Sequence, residues 1–344
     1  MLKRIGLHRV VYGLLAVLLL AAAPAQAKTP PVCSGVNIVE ELAAKNDPML
    51  KTALAGEKEF ANDGAMLWRI TKDGAAPSYL FGTIHITDPT VTKLPPELVD
   101  VFSKIKQVAV EVRSDEAEAE MGALMVQQPG LFFFGAGAGL GAHFSDAEIE
   151  KLTRVLDQPQ LPVRRMRPWM LSLMMAYSPC ERRRVEASIP VLDEVIERRG
   201  KEAGLSIHSL ETVESQASAL SSIPVADQAA MLKVDMTTYK RSNDFAATMR
   251  ELYLQRRIAL VWTLNLAFAD RLGVPRERFQ SFRRAMLDQR NATMLKASVK
   301  LMENGPTLIA VGALHLIGDQ GLVRLFRQAG YTVEAMDGPA SRAQ

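Results

Sequence analysis

Two stretches of this sequence place a glycine and a histidine at the same spacing behind an apolar run. The first is Tyr79-Leu80-Phe81-Gly82-Thr83-Ile84-His85, and the second is Ile309-Ala310-Val311-Gly312-Ala313-Leu314-His315. Imidazole is the side chain best suited to hold a transition metal or move a proton near neutral pH. Two carboxylates could join the pair. Glu111 closes the apolar run Gln107-Val108-Ala109-Val110, and Glu211 directly follows Leu205-Ser206-Ile207-His208-Ser209-Leu210. An acid at the end of an apolar run is costly to bury without a partner. Two imidazoles with one or two carboxylates form a reasonable donor set for a divalent metal such as Zn, Mn or Co. The competing reading makes both histidines satisfied core or turn residues and pairs Glu111 with an arginine. Repetition of the whole corner, each time behind an apolar strand, favours the functional reading. His143 lies in a glycine-rich loop and His208 inside a strand, so both read as non-catalytic.

These residues can meet only if the elements that carry them end at one place. Ala65–Ile70 alternates, a Lys72-Asp73-Gly74 turn follows, and Ser78–Phe81 begins a second strand, a hairpin-like start. Gln107–Val112, Leu205–Leu210, Thr307–Val311 and Tyr331–Ala335 read as further strands, the apolar ones of the kind buried in a parallel sheet. Helix-period segments lie between them. Ser145 with Glu148 signals a capping-box start to a helix that reaches Leu156, and 225–272 and 277–303 read as long amphipathic helices. Residues 130–141 are glycine-rich around Phe132-Phe133-Phe134, either a mobile apolar flap or a loop packed on the surface. No low-complexity linker divides the chain. The expected fold is α/β (α+β): one body, residues 28–344, with a mixed central sheet and a mainly helical middle region at about 115–303. In a parallel sheet His85, Glu111, Glu211 and His315 would all project from strand carboxyl ends, where open α/β sheets bind ligands. The glycine of each corner lets the chain turn tightly or pack closely on a helix.

Of the 344 residues 48% are hydrophobic and 23% charged, which excludes disorder, collagen and coiled coil. Met1–Arg9 is a short basic segment, Val10–Ala23 an apolar run, and Ala25-Gln26-Ala27 a small-x-small cleavage pattern. Residues 1–27 therefore read as an export signal cleaved after Ala27, and the mature chain as a periplasmic or secreted protein without a stable membrane anchor. Removing Lys3, Arg4 and Arg9 with that segment balances basic against acidic residues, so no nucleic-acid footprint remains. The two cysteines, Cys33 and Cys180, read as one disulfide in an exported chain, with two buried thiols as the alternative.

The ordered set of short motifs resembles the TraB/GumN family, which includes the animal TIKI Wnt-cleaving proteases. The tags are Tyr79–His85 with Asp88-Pro89, Val110-Glu111-Val112, Arg167-Pro168-Trp169, Leu192-Asp193, Leu210-Glu211-Thr212 with Gln216, Arg290-Asn291 with Met294, and Gly312–Leu316 with Gly318 and Gly321. The resemblance implies a mixed sheet built from two related halves, each contributing one Gly-x-x-His corner. It also implies a divalent-metal-dependent hydrolase with the histidines and the acid at the metal. On that reading the protein is most simply a peptidase, acting on a peptide or other small substrate. His85 and His315 would be neutral ligands, and Glu111 a third ligand or the general base. Arg290 would neutralise an oxyanion or hold a substrate carboxylate, or else form a structural ion pair, and Glu211 would orient a ligand or Arg290. Arg167-Pro168-Trp169 reads first as a helix-entry packing feature and second as a substrate contact. The rival function is a non-catalytic haem, iron or polysaccharide-associated binding protein using the same crevice. Covalent haem attachment is excluded because no CxxCH occurs. A third class is an interaction protein whose site has decayed, against which the presence of both corners, Glu111 and Arg290 speaks. The export reading is checked by intact mass: protein recovered from the periplasm should begin at Lys28, and a folded, membrane-extracted species retaining residues 1–27 would overturn it.

Overall fold

Val108, Ala109 and Val110 are buried on both faces of their strand, as are Leu308 to Val311 on theirs. Only interior strands of a sheet with helices on both sides can bury consecutive residues in this way. The computed structural model, which describes residues 31–338 apart from 63 and 159, places these runs at the centre of a six-stranded sheet. Its strands are β1 (Leu67–Thr71), β2 (Ser78–Thr83), β3 (Gln107–Val110), β4 (Ser206–Ser209), β5 (Thr307–Gly312) and β6 (Thr332–Ala335). Their order across the sheet is β4-β3-β5-β2-β1-β6. β4, β3, β5 and β2 run parallel, whereas β1 pairs antiparallel with both β2 and β6. The sheet is thus mixed, with a parallel half and an antiparallel edge. The export segment read from the sequence lies outside the described residues.

The parallel register decides what meets. Gly82 on β2 stands opposite Val311 on β5, and Thr83 opposite Gly312, so the two Gly-x-x-His corners leave the sheet side by side. β3 and β4 continue their ladder past the last paired residues: Leu210 N–H donates to Val110 O and Glu211 N–H to Glu111 O. The two carboxylates therefore enter from neighbouring strands at the same edge. One core cluster surrounds the sheet, a second lies within the helical middle region, and a third joins the helices Ile38–Ala44 and Pro48–Glu57 to Ile258–Arg271. Each fully buried Leu, Ile or Phe in them contributes roughly 1.5–3 kcal/mol.

One of the two expected long helices is interrupted, and the other contains a π turn. The 225–272 stretch is three helices, Val225–Thr238, Ser242–Leu254 and Ile258–Arg271. Between the last two, Arg256 adopts a left-handed φ of 58°, and Arg257 N–H turns back to Leu252 O. A non-glycine residue there costs on the order of 1 kcal/mol. Side-chain bonds from Arg256 to Asp337 and from Arg257 to Glu57 offset that cost, and all of these partners are distant in sequence. The 277–303 stretch is continuous but contains a π turn, Arg284–Asp288, between Arg278–Arg283 and Gln289–Met302. The glycine-rich loop is packed: Phe132 is fully buried against Trp169, and Phe133 bridges to Met166. Trp169 lies in the first turn of Pro168–Met175 and donates its indole N–H to Leu131 O, so Arg167-Pro168-Trp169 is a helix-entry packing feature.

No described helix is long and apolar enough to cross a membrane. Cys33 and Cys180 form a disulfide that spans 147 residues and ties the N-terminal segment to the helix Pro179–Glu186. Closing so long a loop restricts the unfolded chain, so reduction should lower stability by ~2–4 kcal/mol, read from urea unfolding with and without reductant. Free-thiol labelling of both cysteines in non-reduced, denatured protein would contradict the linkage.

Candidate metal centre at the strand ends

Each corner begins with a glycine that its surroundings require. A Cβ on Gly82 would lie 3.0 Å from the Cβ of Ala313, so the second corner packs directly on the first. A Cβ on Gly312 would lie 3.3 Å from Glu111 Oε1, because the Gly312 N–H donates to that oxygen at 2.8 Å. The backbone of one corner thus grips the acid of the neighbouring strand.

Glu111 is held from several sides. Its Oε2 accepts from Arg290 Nη2 at 2.6 Å, and Gln216 Nε2 approaches at 3.4 Å. Arg290 also donates from Nε and Nη2 to Glu211 Oε2, at 2.9 and 2.7 Å, and from Nη1 to Met286 O at 3.1 Å. Met286 belongs to the π turn, which brings its carbonyl to the guanidinium. Burial pushes the Glu111 carboxyl upward, but the charges of Arg290 and His85 and the Gly312 N–H outweigh it and hold the group well below the usual carboxylate range. Burial raises Glu211, with Arg290 opposing. Arg290 is itself buried, its charge shared between two acids, not presented to solvent.

The histidines are oriented by residues from other elements. His85 Nδ1 lies 2.9 Å from Asp193 Oδ2, and Thr83 Oγ1 donates to Asp193 Oδ1 at 2.6 Å. The charge of Asp193 raises His85 to about 9, against the opposing effect of burial. His315 Nδ1 lies 2.6 Å from Asn291 Oδ1, and Asn291 Nδ2 donates to Gln320 O at 2.6 Å. The second bond fixes which end of the amide faces the ring, so Nδ1 carries the hydrogen and Nε2 presents a lone pair. Burial lowers His315 to about 3, leaving it neutral. That lone pair faces Glu111 Oε1 at 3.7 Å. Two acceptors thus confront each other without a proton between them, a gap that suits a cation or a donor.

The structure therefore bonds Glu111, Glu211 and Arg290 into one network and sets His315 beside Glu111, 3.7 Å away. His85 borders the same cleft, lined by His85, Glu111, Asp193, Glu194, Glu197 and Gln216. Among the described residues no three His, Cys, Asp or Glu side chains form a ready-made metal cage. The chemistry of the donors nevertheless fits a divalent metal. In His315, and in His85 once it loses a proton, Nδ1–H is committed to an oxygen and Nε2 is left for a ligand, the arrangement that orients metal-binding histidines.

Asp193 and Asn291 have no site role assigned from sequence. Asp193 lies in the first turn of Leu192–Glu202, where an acid reads as a partner of the helix dipole, and Asn291 lies inside Gln289–Met302. His143 and His208 take no part in the network.

An open α/β protein with two Gly-x-x-His corners and a buried Glu–Arg–Glu cluster at its strand ends is the class this geometry defines. The chain belongs to the TraB/PrgY/gumN family, whose sequence pattern matches residues 66–335. It is also 23% identical over 328 residues to a protein of Amphimedon queenslandica described as "Metalloprotease TIKI homolog". That alignment covers 80% of this chain but 62% of the relative, so the chain spans less than two thirds of the relative's length. No solved structure matches.

The cluster generates a stability test. Replacing Arg290 with Met would strand two buried carboxylates, and breaking a buried pair in this way costs roughly 3–5 kcal/mol. Urea unfolding of Arg290→Met should show that loss, and adding Glu211→Gln should recover part of it. Losses that simply add would contradict the coupling.

Proposed function

We propose that this chain is an exported, metal-dependent hydrolase that acts on peptides, with His85, His315 and Glu111 holding the metal. The observation that carries the reading is the neutral His315 Nε2 and the anionic Glu111 Oε1 facing each other as two acceptors 3.7 Å apart. Family membership and the name of the sponge relative support it, as do the Nδ1–H partners Asp193 and Asn291. Two imidazoles and a carboxylate suit Zn, Mn or Co. A divalent ion in such a site lowers the pKa of bound water toward neutrality and polarises a scissile carbonyl.

The chain's own residues then have separable tasks. Asp193 and Asn291 engage Nδ1 of the two rings and so leave both Nε2 atoms for a ligand. Arg290 and the Gly312 N–H pin Glu111 and keep it ionised. A carboxylate held so far below neutral pH is a weak base, which favours Glu111 as a ligand over Glu111 as the general base. Glu211 and Met286 O hold Arg290, and so act on the site only through it. Export is consistent with the disulfide, which persists in oxidising compartments.

Metal analysis joined to a peptide-hydrolysis screen tests the reading. His85→Ala and His315→Ala should each lose Co²⁺ uptake and hydrolysis together while the fold survives, because both residues lie beyond the ends of the strands and neither takes part in the sheet ladder. Glu111→Gln should weaken Co²⁺ binding at least tenfold, as expected of a ligand. A double histidine variant that kept both metal and activity would end the proposal.

A further inference from the structure

The first corner is gripped beyond His85 by residues that the site described above does not use. Thr87, two positions after His85, is buried with its backbone and hydroxyl both engaged. Glu181 Oε2 accepts from Thr87 N at 3.0 Å and from Thr87 Oγ1 at 2.6 Å, while Arg184 Nη2 donates to Thr87 O at 2.9 Å. Glu181 and Arg184 are themselves buried, on adjacent turns of the Pro179–Glu186 helix. A buried carboxylate that receives a backbone N–H and a hydroxyl fixes that backbone more firmly than a neutral acceptor would.

The opposite side of the same corner is held by another helix, Ser242–Leu254. Tyr253 Oη donates to Gly82 O at 2.7 Å, and Arg250 pairs with Asp88 at 3.4 Å. The N-terminal arm joins the two grips. Its Val36 N–H donates to Asp244 Oδ1 and its Ile38 N–H to Thr248 Oγ1, both on Ser242–Leu254. Its Cys33 is bonded to Cys180, the residue before Glu181. His315, by contrast, is oriented by Asn291 on Gln289–Met302, an element to which the arm makes none of these bonds.

We propose that Glu181 is a positioning residue for His85, and that the Cys33–Cys180 disulfide serves the site by holding the helix that carries Glu181 against Thr87. The proposal rests on the hydrolase reading for its consequence, since a displaced His85 ring matters through the ligand it presents. Its geometry stands apart from that reading: the clamp holds the backbone on one side of His85 while Thr83 and Asp193 hold the other. Loss of the clamp should free the His85 ring from Asp193 and leave His315 undisturbed.

The test compares the full mature chain with Glu181→Gln and with a Cys33→Ser/Cys180→Ser double variant, so that failure of one to fold leaves the other to decide. The readouts are the exchange of the Thr87 amide, the downfield Nδ1–H proton resonances of His85 and His315, and the affinity for Co²⁺ alone. Both variants should speed Thr87 exchange and lose the His85 resonance to solvent while keeping that of His315. Co²⁺ affinity should fall about tenfold, the usual cost of losing a partner behind a metal ligand. Glu57→Gln breaks a part-buried pair with Arg257 outside the corner and controls for general destabilisation; it should keep both resonances and full affinity. Persistence of the His85 resonance in both variants, or loss of both histidine resonances together, would overturn the proposal. Failure of the unmodified protein to bind Co²⁺ would count against the hydrolase reading, and the resonances would still decide the role of Glu181.

Discussion

The guanidinium of Arg290 lies buried between Glu111 and Glu211, and the arrangement of the sheet edge depends on it. Neither acid could remain ionised beneath the helices without that charge, and neither could be protonated without losing a strong bond. The requirement explains why three separate parts of the chain converge there. β3 and β4 must run parallel and in register for both acids to leave at one edge. The Gln289–Met302 helix must present its arginine from above, and the π turn before it supplies the carbonyl that takes up another guanidinium hydrogen. A π turn in this position is costly in a bare helix and is tolerated where it feeds a site.

From this anchor the rest of the centre follows by exclusion. One oxygen of Glu111 is occupied by Arg290, so the other turns toward Gly312 and His315. Gly312 can approach because it has no side chain to meet the carboxylate. His315 is buried and neutral, and its hydrogen points away from Glu111 because Asn291 takes it. His85 differs in being partly exposed and paired with a full carboxylate, so it carries a proton that a metal would have to displace. The two corners share a sequence motif but not an electrostatic environment. One is a fixed neutral imidazole, and the other a charged group bordering the cleft.

The two corners are also supported unequally. His315 depends on one amide within the helix that bears Arg290, so it moves with the charged cluster. His85 bonds Asp193, and Thr87, two residues on, is bonded to a helix that the disulfide ties to the N-terminal arm. A covalent tie is well placed near the more exposed histidine, where solvent weakens non-covalent restraints.

Periodicity and composition determined much of this protein without reference to any neighbour. The positions of all six strands, the hairpin start, the capping box at Ser145 and the paired corners follow from local preference, because alternation, turn residues and glycine act within a few residues of themselves. The candidate residues at strand ends were legible for the same reason: a histidine or an acid just beyond an apolar run stands out. The tertiary structure alone decided the rest. The order β4-β3-β5-β2-β1-β6, which sets Gly82 beside Val311, is a property of the whole sheet. The left-handed turn at Arg256 exists because Asp337 and Glu57 come from distant segments to hold it and its neighbour. Asp193 resembled a helix-capping acid, and Arg290 one basic residue among several, until their partners were in place. Titration behaviour, tautomers and the choice between a spent and an available charge arise from contacts across the fold, and no window of sequence contains them.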